Sequence, residues 1–161
     1  MSSWRGLLLA FVLSFGTAGL GGAVTDLGPW YQALQQPAWK PPDWAFGPVW
    51  TTLFSLMAIS GWWAWRVTPS ITRRRLGLML WAFNGVCNVV WSLLFFKLQR
   101  PDWAMIEWAF LWLSIAALIL ALRRDSTLAA WLLVPYLLWV SVAGCLNLAV
   151  IDLNGPFPRV L

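Results

Sequence analysis

Asn84, Asn88, Trp91 and Phe95 stand at i, i+4, i+7 and i+11, a spacing that puts all four on one face of a helix. Pro135, Trp139, Ala143 and Asn147 repeat the pattern at i, i+4, i+8 and i+12, and Trp50, Phe54 and Met57 line up in the same way. The three faces share aromatic bulk, and the two that carry asparagine add polar groups. Side-chain amides are costly against lipid, so the asparagine-bearing faces are expected to point inward. Three such faces brought together would wall an apolar cavity with a few orienting hydrogen-bond groups, which is the make-up of a small-molecule site. The competing reading is structural, with asparagines joining helices and tryptophans filling a core. Hydrolytic or metal chemistry is not indicated. The chain has no histidine, and so lacks the commonest metal ligand and general base. A histidine-ligated haem and most metal-hydrolase mechanisms are thereby excluded. Glu107 is the one charge inside any apolar run, read either as an ionisable functional group at depth or as a side chain reaching back to the interface.

The elements that must position these residues are membrane spans. Of 161 residues, 60% are hydrophobic and 11% charged, which leaves no soluble core to build. Long apolar runs cover residues 7–24, 44–65, 76–96, 103–122 and 127–151. Each is close to the roughly 20 residues needed to cross about 30 Å of hydrocarbon. Only helices and closed barrels satisfy their backbone in lipid, and continuous rather than alternating hydrophobicity excludes a barrel. The expectation is an all-α, multi-pass membrane protein. It would be one integral domain over 1–161, a five-transmembrane-helix bundle with a long ordered loop, 25–43, between its first two helices. The first run could also serve as a cleaved signal peptide, but it continues to Val24 through GTAGLGGA, a helix-packing sequence. Ser14/Ala18/Gly22 and Gly19/Ala23 suit close packing within the bundle, while Gly77 and Gly85 are a weaker pair for self-association.

Net charge of +5 is not a nucleic-acid signal, because the basic residues sit in short connections. Arg5, Arg66, Arg73, Arg74, Arg75, Arg123 and Arg124 fall on one side of a five-span arrangement, and Lys40, Lys97, Arg100 and Arg159 on the other. That asymmetry places the amino terminus and the RRR connection in the cytoplasm. Cys87 and Cys145 both lie inside spans and are not expected to form a disulfide. The stretch WKPPDWAFGPVW, 39–50, joins the long loop to the second span. Its prolines fix φ and stiffen the chain into a flap over the bundle mouth, with Tyr31 and Trp39 as its apolar underside.

WYQALQQPAWKPPDWAFGPVWTTLF (30–54), NVVWSLLFF (88–96) and PYLLWVSVAGCLN (135–147) resemble signatures of the TspO/translocator protein family, which includes the peripheral-type benzodiazepine receptors. The resemblance runs along nearly the whole chain. It implies a five-helix bundle, often a dimer, whose first loop covers a pocket for tetrapyrroles such as protoporphyrin IX. It implies a ligand-binding set of Tyr31, Trp39, Pro41, Trp50, Phe54, Asn88, Trp91, Trp103, Phe110, Trp139 and Ala143. Some bacterial members promote light-dependent porphyrin breakdown, and the implicated tryptophans correspond to Trp50 and Trp139. The expected protein is therefore a receptor or sensor of a bacterial cell membrane, needing no cofactor, with photo-oxidative degradation as the alternative. Transport of porphyrin or lipid is disfavoured, because no internal repeat and no paired interrupted helices are present. The cholesterol-recognition pattern of vertebrate members is not matched, since LNLAVIDLN (146–154) has neither tyrosine nor a basic residue. Sterol binding through that element is not expected.

Overall fold

The protein is described by a computed structural model over residues 3–157, so Arg159 lies outside the described residues. Long helices α1 (Ser3–Val24), α3 (Asp43–Val67), α4 (Ile71–Ser92), α5 (Pro101–Leu122) and α7 (Val134–Asn154) carry the fold. Short helices α2 (Pro29–Ala33) and α6 (Thr127–Trp131) punctuate the connections, and α4 runs on into a π-helical turn at Leu93–Lys97. No strand occurs among the described residues.

Among the described residues, four segments are long and apolar enough to cross a membrane: Trp4–Val24, Ile71–Lys97, Pro101–Leu122 and Thr127–Asn154. The expected span at 44–65 does form a helix, α3, of 25 residues. Its tryptophans, glycines, hydroxyl residues and Pro48 make it less apolar than the other four. The expected run 127–151 is broken near its start, α6 giving way to α7 at Leu132–Leu133. Pro135 explains the break, because it has no N–H to offer the carbonyl one turn earlier and is tolerated only in a first turn. Pro101 starts α5 in the same way, and Ser70 and Ser126 cap α4 and α6 by accepting from the backbone N–H three residues on.

Helices in a bilayer gain little from burying apolar surface against each other, so close packing and hydrogen bonds must hold them. Ser14 is fully buried in α1 and donates to the Phe54 carbonyl of α3 at 2.7 Å. Ser60 in α3 donates to the Ala129 carbonyl of α6 at 2.7 Å. Asn84 Nδ2 donates to Ser114 Oγ at 2.8 Å, and Asn84 Oδ1 accepts from the Tyr136 hydroxyl at 3.3 Å, tying α4 to α5 and α7. A Cβ on Gly85 would lie 3.2 Å from Thr17 Oγ1, so this glycine brings α4 against α1 within the bundle. The expectation that Gly85 serves self-association is corrected accordingly. Gly16 and Gly19 have nothing within 4 Å of a built Cβ and face outward.

The described members of the two groups of basic residues occupy opposite ends of the long helices. At one, Arg73 from the start of α4 pairs with Asp125 just after α5 at 3.0 Å. At the other, Gln35 and Asn154 clamp the 25–42 connection to the end of α7.

Candidate functional site

A cavity of about 290 Å³ lies at the end of the bundle where the 25–42 connection crosses. Each wall comes from a separate element. Ala18, Gly21 and Gly22 belong to α1, Phe46, Trp50 and Phe54 to α3, Trp108 and Leu111 to α5, and Trp139, Val140 and Ala143 to α7. From α4 come Asn88, Trp91 and Ser92, and from its π-helical turn Phe96. Thr25, Leu27 and Tyr31 line it from the connection, and Asp43 sits at its rim.

The aromatic side chains brace one another. Trp50 stacks on Phe54 with centroids 5.5 Å apart and meets Tyr136 edge-on at 6.1 Å. Phe46 meets Trp139 edge-on at 5.5 Å, and Trp91 stacks on Phe95 at 5.1 Å. Such pairs fix ring planes beyond what burial alone achieves. The connection is held down by Trp30 against Phe95 at 6.2 Å and Tyr31 against Phe96 at 5.6 Å. It is also held by the Asn154 amide, which accepts from Gln35 N–H at 2.8 Å and donates to the Gln35 carbonyl at 2.9 Å.

Few polar groups meet this apolar wall. Asn88 Nδ2 donates to the Tyr136 hydroxyl at 3.1 Å, which orients the amide beside the cavity. Trp91 Nε1 donates to Asn147 Oδ1 at 3.2 Å, while Asn147 Nδ2 donates to the Pro101 carbonyl at 2.8 Å. Asn147 therefore holds a wall tryptophan from behind and does not line the cavity itself. Trp108 Nε1 donates to the Val140 carbonyl at 2.7 Å. Trp139 Nε1 is buried with no hydrogen-bond partner among the described residues. Lys40 pairs with Asp43 at the rim and lies 5.7 Å from the Tyr31 ring centroid. Burial pushes the Tyr31 phenol above its ordinary range, so it remains a neutral O–H near pH 7.

Of the residues expected to bind ligand, Tyr31, Trp50, Phe54, Asn88, Trp91, Trp139 and Ala143 line this one cavity. Trp39, Pro41, Trp103 and Phe110 do not. Trp39 is 54% exposed on the outer surface of the connection, and Pro41 lies half-buried beside it. Trp103 faces away because it forms a platform for Arg100, whose guanidinium lies 4.1 Å from the ring centroid and is held there by Asp102 at 2.8 Å. Phe110 is 56% exposed on the outer face of α5. Trp108 takes the inward position of α5 instead, resting directly on Gly144, where a built Cβ would lie 2.3 Å from its ring. Phe46, Phe96 and Trp108 were not singled out as site residues from sequence. Trp108 had a signal, three residues before Leu111 on the face that continues to Ile115. Glu107 does not reach the interface: both carboxyl oxygens are buried, with the Cys87 thiol beside them. Cys87 is buried and Cys145 exposed, both as free thiols. The described residues contain no cluster of three or more His, Cys, Asp or Glu able to hold a metal.

Residues 8–152 match the family model described as the TspO/MBR family. Protein CrtK of Rhodobacter capsulatus is 37% identical over 151 residues, covering 92% of each chain. Tryptophan-rich protein TspO of Chlorobaculum tepidum is 36% identical over 155 residues, covering 92% of this chain and 94% of its own. Translocator protein of Homo sapiens is 35% identical over 122 residues, covering 75% of this chain and 72% of its own.

Proposed function

The chain belongs to the TspO/MBR family and is an integral, multi-pass membrane protein; from that premise we propose that it is a receptor or sensor binding a tetrapyrrole such as protoporphyrin IX in the tryptophan-walled cavity. The observation that carries the proposal is the convergence of Trp50, Trp91, Trp108 and Trp139 from four helices on one cavity, with the Trp139 indole N–H buried and unpartnered. Flat aromatic walls suit a flat macrocycle through stacking. A buried donor without a partner costs about 1–3 kcal/mol, which a ligand acceptor would recover. The cavity sits just under the roughly 300–1,000 Å³ typical of small-molecule sites. A whole macrocycle would fill it and displace the 25–42 connection outward. With no histidine in the chain, a metal-free macrocycle should bind as well as its iron complex.

In this reading all five long helices cross the bilayer, the amino terminus is cytoplasmic, and the membrane is a bacterial cell membrane, as for the bacterial relatives that cover more than nine tenths of both chains. Pairing of two copies is part of the same proposal. The test is quenching of tryptophan fluorescence by protoporphyrin IX in the dark. Saturable quenching is expected. Only linear, unsaturable quenching would remove the proposal.

The placing of Trp50 and Trp139 on one cavity favours a second reading, light-driven oxidation of the bound porphyrin by oxygen. The excited macrocycle would carry that chemistry, and the protein would supply position and oxidisable indoles. Illuminating the complex decides between them, because a receptor leaves the Soret band intact beyond the bleaching of free porphyrin. Under the second reading, the double variant Trp50→Phe/Trp139→Phe keeps binding within about 1 kcal/mol but stops product formation.

A further inference from the structure

A second cavity, about 260 Å³, opens at the arginine-rich end of the bundle between α1, α3, α4 and α5. Its walls are Leu9, Leu13, Leu78, Trp81, Leu118 and Leu122. Three glycines, Gly6, Gly61 and Gly77, keep it wide. Carbon atoms added to them would reach 3.4 Å from Trp62, 3.5 Å from Trp81 and 3.6 Å from Leu122 respectively, so each would consume groove space without a clash. Leu9, Leu13 and Leu78 are 49%, 45% and 50% exposed, so the groove opens sideways toward lipid and not toward water. An occupant would enter from the bilayer.

The mouth of the groove carries Arg73 and Arg74. Arg74 Nε donates to the Thr68 carbonyl at 2.6 Å, and its guanidinium stands 5.6 Å from the exposed Trp65 ring. Both contacts hold the charge in place without neutralising it. Arg73 pairs with Asp125, the one carboxylate that forms an ion pair at this end among the described residues. Arg5, Arg66 and Arg75 add positive charge from the same end of the bundle, and the N-terminal dipole of α4 adds more. An apolar slot at chain depth beneath fixed guanidinium groups at headgroup depth complements an amphiphile with an anionic head. Basic pockets between transmembrane helices select anionic lipid headgroups for this reason.

We propose that this groove seats an acyl chain of an anionic phospholipid from the adjoining leaflet, with its phosphate held between Arg73 and Arg74. The site is separate from the tryptophan-walled cavity and does not depend on what that cavity binds.

The test is native mass spectrometry of the full chain released from nanodiscs of equal phosphatidylglycerol and phosphatidylcholine with matched acyl chains. One retained phosphatidylglycerol per chain is expected, favoured over phosphatidylcholine by about tenfold. The variant Arg73→Gln/Arg74→Gln should bring the two lipids to near parity. Gly77→Leu should fill the groove and remove the retained lipid, and circular dichroism checks that it folds. Leu13→Trp, at a position half exposed to lipid, narrows the same groove without entering helix packing and carries the same expectation. Equal retention of both lipids by the unaltered chain would overturn the proposal. So would a phosphatidylglycerol retained in both groove-filling variants, or capture of added oleate in its place. A Gly77→Leu chain that splits a dimer while the unaltered chain retains no lipid would show a seam between copies instead, and would also overturn it.

Discussion

Gly144→Ala should loosen the wall of the tryptophan cavity by evicting Trp108. A Cβ at 144 would stand 2.3 Å from Trp108 Cε2, 2.5 Å from Nε1 and 2.6 Å from Cζ2, all rigid ring atoms that cannot bend aside. The indole must translate as a unit, and its 2.7 Å hydrogen bond to the Val140 carbonyl is then stretched or lost. Overpacking of this kind costs about 1–3 kcal/mol, and the lost hydrogen bond about 1 kcal/mol. Against these stands the helix preference for alanine over glycine, at most about 1 kcal/mol. The clash wins, leaving a net destabilisation of about 1–3 kcal/mol. Thermal unfolding in a fixed detergent, followed by near-ultraviolet circular dichroism of the tryptophans, reads it directly. The cause is isolated by a cycle with Trp108→Leu. Once the indole is gone, the alanine should cost nothing or become favourable, so the two changes should be far from additive. A Gly144→Ala chain as stable as its parent, with additive behaviour in the cycle, would refute the reasoning. Because Trp108 lines the cavity, porphyrin affinity should fall together with stability.

Three other outcomes are expected. Ala143→Thr adds a methyl and a hydroxyl to the cavity lining and should weaken porphyrin binding about ten- to hundredfold, roughly 1–3 kcal/mol, with little change in unfolding temperature; unchanged affinity in a fluorescence titration would take Ala143 out of the site. Asn147→Leu strands the Trp91 indole N–H and removes the second hydrogen bond of the Pro101 carbonyl, which keeps its helical partner, and unfolding assays should register about 1–2 kcal/mol, since amide bonds inside membranes are individually modest. In a chain freed of Cys87 and Cys145, an impermeant maleimide should label Gln35→Cys in intact cells and Ser70→Cys only after permeabilisation, and the reverse pattern would invert the topology.

The inward faces were legible, except at Pro135, which is exposed, because a helical period of 3.6 leaves little choice about which residues share a side. Asn84, Asn88 and Asn147 are 0%, 7% and 1% exposed, as the cost of an amide in lipid requires. What the period could not reveal is where it fails. The π-helical turn at Leu93–Lys97 inserts a wider turn, so Phe95 packs in the core while the adjacent Phe96 also reaches the cavity. A regular helix would turn one of the two away. Trp103 was misplaced because the Arg100–Asp102 pair, formed by the local turn into α5, claims its ring for a cation. Trp108 went unassigned because its position depends on Gly144, 36 residues further on, and the absence of a side chain there has no periodic signature. The break between α6 and α7 was foreseeable from Pro135, but no composition-based reading of 127–151 separates a broken span from a continuous one.

The amide of Asn154 pairs with both backbone groups of Gln35, like one rung of a ladder between neighbouring peptide strands. It joins positions 119 residues apart and so closes about three quarters of the 161-residue chain into a ring. During synthesis, the 25–42 connection emerges early and the residue that fastens it emerges nearly last. Until the final helix has been inserted, the connection has Trp30 and Tyr31 to rest on Phe95 and Phe96 but no latch. A ribosome-bound chain halted before α7 would also lack Trp139 and Ala143, and would have a mouth with neither its far wall nor its fastening. The cavity is therefore complete only once α7 has been inserted.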